Sequence, residues 1–191
     1  LQKPKSCTII SMPKPDSRDH YSIPFDPESD IKAKLFSRLR NEEYSCLLDS
    51  CDLDSANEVQ EYNWIAAYGM LSEICITDSS DPLAQLSSYH KEKQDWIFGM
   101  LSYDLKNDLH HQLHSLNRAS MEVPDLCFFQ PQHVIYLQEG TLHIESIGNA
   151  RNELERLLDL DSNTKANDEL VMSTKIESYT SKSQYLNTIK R

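Results

Sequence analysis

Glycine is scarce: four of 191 residues, with no G-x-G-x-x-G and no Walker A loop. Both loops work by letting backbone N–H groups approach a phosphate without a Cβ in the way, so the usual nucleotide cradles are excluded. Long apolar runs are absent too. Nothing approaches the roughly 18 consecutive apolar residues that a membrane-spanning helix needs. No C-x-x-C pair and no G-x-S-x-G elbow occurs. Positive charge is in short supply: 19 Lys and Arg stand against 30 Asp and Glu, a formal net charge of −11. Phosphate backbones are held by Lys and Arg, so nucleic acid is not the expected partner.

The deficit is local. Between Asn41 and His90 there is no Lys or Arg, and the same window holds ten acids, Glu42, Glu43, Asp49, Asp52, Asp54, Glu58, Glu61, Glu73, Asp78 and Asp81. A solvated acidic face is the simplest reading. The last 31 residues carry five bases and four acids, which leaves the first 160 with 14 − 26 = −12. Five cysteines, Cys7, Cys46, Cys51, Cys75 and Cys127, in a chain of this size read as reduced thiols, and the expected compartment is the cytoplasm. Leu1-Gln-Lys-Pro-Lys has no apolar signal core and no initiator Met, and so reads as a chain begun internally or trimmed.

What is present alternates strands and helices. Ser6 to Ser11 reads as a strand, followed by a proline-rich loop with Pro13, Pro15, Pro24 and Pro27. Asp30 to Arg40 reads as a helix, with Ile31, Leu35 and Leu39 at i, i+4, i+8 and Ser29 or Asp26 as cap. Tyr44 to Leu48 reads as a short buried strand. Tyr62 to Thr77 holds two strands, and apolar residues on both faces make the first of them central. Asp81-Pro82 starts a helix whose inward stripe is Leu83, Leu86 and Tyr89. Asp95 to Tyr103 is a further strand, where Gly99 marks a bulge or a close backbone approach. Leu105 to Leu116 reads as helical. Leu126 to Leu137 and Thr141 to Ile147 form a hairpin around Glu139-Gly140, and Asn149 caps a helix through Leu160. Residues 161–181 read as a linker, and 182–191 as the first turns of a helix that opens a further domain, cut short at Arg191. The fold expected is α+β: a mostly antiparallel sheet with helices packed on one face, spanning residues 1–160.

Few constellations suggest chemistry. His110 and His114 share a helix face at the zinc-binding spacing, but the motif's Glu and a third ligand are missing, so a solvent-facing patch is the better reading. Cys46 and Cys51 have acidic rather than basic neighbours and read as small hydrophobes, not activated thiolates. Asp104, between a strand and a helix, reads as an N-cap.

Several segments, in order, resemble the N-terminal domain of the chorismate-utilising synthases, the component I subunits of anthranilate synthase and aminodeoxychorismate (para-aminobenzoate) synthase. Leu47-Leu48-Asp49-Ser50 resembles the family's L-L-E-S segment. Glu61-Tyr62-Asn63-Trp64-Ile65-Ala66-Ala67 resembles the strand that follows it, and Asp81-Pro82-Leu83 its D-P-L helix start. Phe98 to Leu105 is similar to its G-x-x-x-Y-D strand, Val123-Pro124-Asp125-Leu126 to its P-D segment, and Ser183 to Leu186 to the helix that opens its catalytic domain. The resemblance covers nearly the whole chain and rests on order and spacing, since each motif is short. Tyr103 to Asn107 looks more like the aminodeoxychorismate branch.

The resemblance implies amination of chorismate to 4-amino-4-deoxychorismate on the way to para-aminobenzoate and folate. Tryptophan biosynthesis is the alternative implied by the anthranilate branch. It implies Mg²⁺ and chorismate residues in a catalytic domain outside this chain, so that this segment carries no catalytic, cofactor or metal residue of its own. The partners implied are that C-terminal domain and a glutamine amidotransferase subunit. A tryptophan or effector pocket is implied at Leu48, Asp49, Ser50 and Tyr62, with Ser50 as the hydrogen-bonding residue. Asp49 stands where the family has Glu, and Glu61 where it often has Arg. A chain sharing two domains' core would expose apolar surface when taken alone. A free-standing ligand-binding or interaction module is the reading from a different class.

Overall fold

The structure, a computed structural model, describes residues 6–10, 17–50, 61–77, 81–106, 123–160 and 180–189. Two compact units divide the chain, Leu1–Leu160 and Asp161–Arg191. In the first, seven strands form one sheet whose pairings are all antiparallel: β1 (Ser6–Ile10), β2 (Asp19–Pro24), β3 (Ser45–Asp49), β4 (Trp64–Thr77), β5 (Phe98–Leu101), β6 (Leu126–Gln138) and β7 (Thr141–Ser146). Among the described residues three α-helices accompany them: α1 (Ile31–Leu39), α2 (Pro82–Lys93) and α3 (Ala150–Leu158). The class is therefore the expected α+β. In the second unit the described element is α4 (Lys182–Ile189), where Ser181 Oγ accepts from the Gln184 N–H and Tyr185, Leu186 and Ile189 are exposed.

Two long strands organise the sheet. β4 and β6 pair along their length, and each is flanked by two short strands laid end to end. β3 pairs with the first half of β4 and β1 with the second, while β5 pairs with the first half of β6 and β7 with the second. Between β5 and β7 lies a gap opposite Gln130 to Gln132. Arg18 fills it, donating to the carbonyls of Pro131 (2.7 Å) and Gln132 (3.2 Å) and bidentately to Asp95 (2.7 and 2.9 Å). Buried carbonyls need a donor, and a guanidinium supplies several in one plane. Gln130 Nε2 also donates to Asp95. Its Oε1 accepts from the Ser72 hydroxyl, which in turn accepts a hydrogen bond from the Tyr89 hydroxyl. Burial opposes the Asp95 charge, but these bonds outweigh it and hold its carboxyl below the usual range.

The core sits mainly on one face. Trp64, Ala66 and Tyr68 of β4, Ile135 and Leu137 of β6, and Leu142 and Ile144 of β7 pack against Ile31, Leu35 and Leu39 of α1 and Ala150, Leu154 and Leu157 of α3. The opposite face of the same strands carries Ile65, Ala67, Val134 and Tyr136, with Phe98, Phe129, Tyr62 and Trp96 around them. α2 packs through Tyr89 and Leu86 against Ile74, Ile76 and Leu126.

Several expectations change. The two strands read within Tyr62 to Thr77 are one, Trp64–Thr77: Gly69 adopts φ +72° and the β4–β6 register shifts between Met70 and Ser72, so the glycine bends the strand without ending it. Asp19–Pro24, within the proline-rich stretch, is an edge strand, where a terminal proline interrupts no ladder. β3 lies on the edge, and Leu48 on it is exposed rather than buried. Neither Ser29 nor Asp26 caps α1; Asp30 precedes it without a side-chain cap and pairs instead with Lys34 (3.2 Å). Leu83 is exposed on α2, whose buried positions are Pro82, Tyr89 and Lys93. Asp104 lies inside a 3₁₀ turn (Tyr103–Leu105) rather than capping it. The helix read over Leu105 to Leu116 lies outside the described residues beyond Lys106, as do His110, His114, Cys51, most of the linker and the last two residues. Asp81 and Asn149 do cap their helices, accepting from the Ala84 N–H (3.1 Å) and the Asn152 N–H (2.7 Å). Glu139 and Gly140 both take positive φ, 48° and 72°, as the two-residue hairpin turn requires.

Candidate functional site

The segment Leu47 to Ser50 runs antiparallel to the start of β4. Successive side chains of a strand point to opposite faces. Leu47 reaches the α1–α3 core and Leu48, opposite Ile65, projects from the other face, 57% exposed. Asp49 stands opposite Trp64 and accepts from Lys32 Nζ of α1 at 3.0 Å. Ser50 closes the ladder: its N–H (3.1 Å) and its hydroxyl (2.6 Å) both donate to the Asn63 carbonyl. The Asn63 N–H donates to the Leu137 carbonyl (2.9 Å), which ties this corner to β6.

Beside the corner opens a cleft of about 520 Å³ lined by Phe25, Pro27, Ile31, Lys32, Asn63 and Trp64 among others. Apolar side chains supply most of its lining, and Asp30, Lys32 and Asn63 add polar groups. Trp64 beneath it is buried, and its indole N–H has no acceptor among the described residues. The four residues singled out from the sequence therefore divide. Asp49 and Ser50 belong to this corner. Leu48 points away from it, and Tyr62 joins the aromatic cluster, with ring centroids 5.2 Å from Tyr136 and 6.3 Å from Trp96. Lys32, Asn63 and Trp64 were not singled out; Lys32 sits 17 residues before Asp49, and only the packing of α1 over β3 brings them together.

A second polar cluster lies where β6, β7 and α3 meet. Tyr68 donates to Glu153 (2.9 Å), Arg38 stacks over the Tyr68 ring at 5.0 Å, and His133 Nδ1 shares a proton with Ser146 Oγ (2.7 Å). Burial pushes the His133 pKa down to about 4, with Glu153 opposing and Arg38 and Arg18 assisting, so the ring is neutral at neutral pH. Burial, then Glu153, pushes the Tyr68 hydroxyl up. Neither group carries a free nucleophile or base, so the cluster reads as a satisfied core network.

The cysteines correct the expectation of five reduced thiols. Cys75 and Cys127 stand directly opposite each other on β4 and β6, Cα atoms 4.2 Å apart, and form a disulfide. Cys46 is free, with burial raising its thiol. Among the described residues, no helix is long and apolar enough to cross a membrane. No family model and no curated protein matches this sequence.

Proposed function

We propose that this chain is the N-terminal domain of a chorismate-utilising synthase of the aminodeoxychorismate component I type. In this reading the amination of chorismate takes place in a domain outside these residues, and this segment supplies scaffold and partner contacts without catalytic groups. The observation that carries it is Gly99. In the Phe98-Gly99-Met100-Leu101-Ser102-Tyr103-Asp104 segment that resembles the family strand, a Cβ at Gly99 would stand 2.1 Å from the Cys127 carbonyl oxygen and 2.6 Å from the Phe128 Cα. A residue type the segment shares with the family thus has a steric reason to be there. The D-P-L start with its Asp81 cap, and the hairpin after Pro124-Asp125, are in keeping with it.

Complementation by the gene as encoded tests the reading. Rescue of a para-aminobenzoate auxotroph supports it. Rescue of a tryptophan auxotroph alone moves the protein to the anthranilate branch, and rescue of neither overturns it. In the same reading the cleft near Asp49 and Ser50 is an effector pocket for tryptophan: an apolar slot for the indole, with Asp30 and Lys32 toward the amino acid's own charges and Asp49 holding Lys32 from outside the lining. Calorimetry with tryptophan checks that part separately, and a free-standing binding module would give the same heat while complementing neither auxotroph.

A further inference from the structure

Glu73 is buried, 8% exposed, and sits on β4 two residues before Cys75. Residues two apart on a strand share a face, and directly paired residues share it too. Glu73, Cys75 and Cys127 therefore converge, and their donor atoms lie within 4.8 Å of one another. Cys75 Sγ is 3.9 Å from the Glu73 carboxylate. Tyr44 donates a short hydrogen bond to the same carboxylate. That bond, with burial and the Glu73 charge behind it, raises the Tyr44 hydroxyl to about 12, so it stays a donor. Among the described residues no Lys, Arg or His forms an ion pair with Glu73, although a buried carboxylate needs positive charge nearby.

We propose that Glu73, Cys75 and Cys127, once the cysteines are reduced, form a binding site for a thiophilic divalent cation, Zn²⁺, which the disulfide closes. Cysteine thiolates and glutamate carboxylates are both zinc ligands. With Zn–S near 2.3 Å and Zn–O near 2.0 Å, tetrahedral donors lie about 3.5–3.8 Å apart. The Cys75–Glu73 separation of 3.9 Å is already close to that. Both cysteines are half-buried residues rather than core ones. Met100 stands opposite Cys127 on β5 and is 42% exposed, so this edge of the sheet is open to solvent, from which a water would complete the coordination. Tyr44 orients the carboxylate, the role an outer hydrogen-bond donor plays around metal ligands. The strands hold all three donors whether the cysteines are bonded or not, since β4 and β6 pair on both sides of them, Ile74 with Phe128 and Ile76 with Leu126.

The switching step balances. Two thiols, or one phosphine with one water, supply two electrons to the Cys75–Cys127 bond; the thiols leave as their disulfide and pass their two protons to the sulfurs, while the phosphine takes the water's oxygen as phosphine oxide and the water's two protons go to the sulfurs. The cation then displaces both thiol protons as it binds. Reoxidation by a disulfide-class oxidant expels it.

The test uses the whole chain, reduced with a phosphine, freed of reductant and kept anaerobic, and titrated with Co²⁺ as the spectroscopic stand-in. One equivalent is expected to give thiolate-to-cobalt charge-transfer absorption with a tetrahedral ligand-field band, both abolished by stoichiometric Zn²⁺. The oxidised chain is expected to give neither. E73Q should weaken binding about tenfold or more, and C75S should remove the charge-transfer band while Cys7, Cys46 and Cys51 remain. No band in the reduced wild type overturns the proposal. So does a band that survives in C75S, or unchanged affinity in E73Q. Far-UV circular dichroism of the reduced wild type and E73Q establishes that both are folded, so the outcome does not hang on C75S.

Discussion

The two halves of β4 lie on one continuous strand and are built in opposite ways. From Trp64 to Tyr68 every residue is buried and nearly every one apolar, with helices on one face and an aromatic cluster on the other. From Ser72 to Cys75 every residue but Ile74 is polar or reactive, and each of these is answered by a specific partner: Ser72 by Tyr89 and Gln130, Glu73 by Tyr44, Cys75 by Cys127. Gly69 and the register shift after Met70 separate the two. Burial of apolar area tolerates small adjustments, whereas buried polar groups need their partners in place. The first half supplies stability and seats the cleft; the second holds the chemistry-bearing side chains.

The largest expected effect comes from emptying the first half. Trp64 is 1% exposed among α1 and α3, so Trp64→Ala should destabilise the chain by about 3–5 kcal/mol. Urea unfolding measures it. Trp64→Phe sharpens the comparison, because it also removes the indole N–H that lacks an acceptor among the described residues. Its loss should fall well below that of the alanine variant. An equal loss would mean that the N–H is satisfied after all.

The second half should be sensitive to the approach of β5. Gly99→Ala places a Cβ against backbone atoms of Cys127 and Phe128, which cannot rotate aside. A loss of about 3 kcal/mol is expected, at the upper end for overpacking. Hydrogen exchange should accelerate at Phe98 to Leu101 and at their β6 partners, leaving Trp64 to Tyr68 protected. Uniform loss of protection would show that the two halves open together.

Local rules made much of this visible in the sequence. The i, i+4, i+8 spacing of Ile31, Leu35 and Leu39 gave α1 its buried stripe, and Asp81-Pro82, Glu139-Gly140 and Asn149 marked their boundaries by side-chain chemistry alone. The failures were those of pairing. Gly69 looks like an interruption because a single strand does not show the partner that carries it through. Asp19–Pro24 looks like a loop because only an edge position excuses its proline. Cys75 and Cys127 are 52 residues apart, and nothing local says that register sets them opposite each other. The candidate site is similar: Ser50 and Asp49 were visible as a motif, while Lys32 and Trp64 join them only through the packing of α1 on β3 and β4.

The smallest effect tests the cleft and not the fold. Lys32 and Asp49 form a largely exposed pair at 3.0 Å, with side chains 41% and 27% exposed. Such pairs are worth roughly 0.2–1 kcal/mol, because water screens the attraction and two side chains lose freedom. Lys32→Ala should therefore shift the urea midpoint only slightly, and the double change with Asp49→Asn should show a coupling of the same small size. The first half of β4 remains buried beneath, so its core does not depend on this pair. If the cleft is an effector pocket, the same substitution should remove most of the heat on tryptophan addition while stability stays put. A variant that loses several kcal/mol would make the pair a structural element of the first half. A variant that keeps both stability and heat would take Lys32 out of the pocket and leave Asp30, Asn63 and Trp64 to define it.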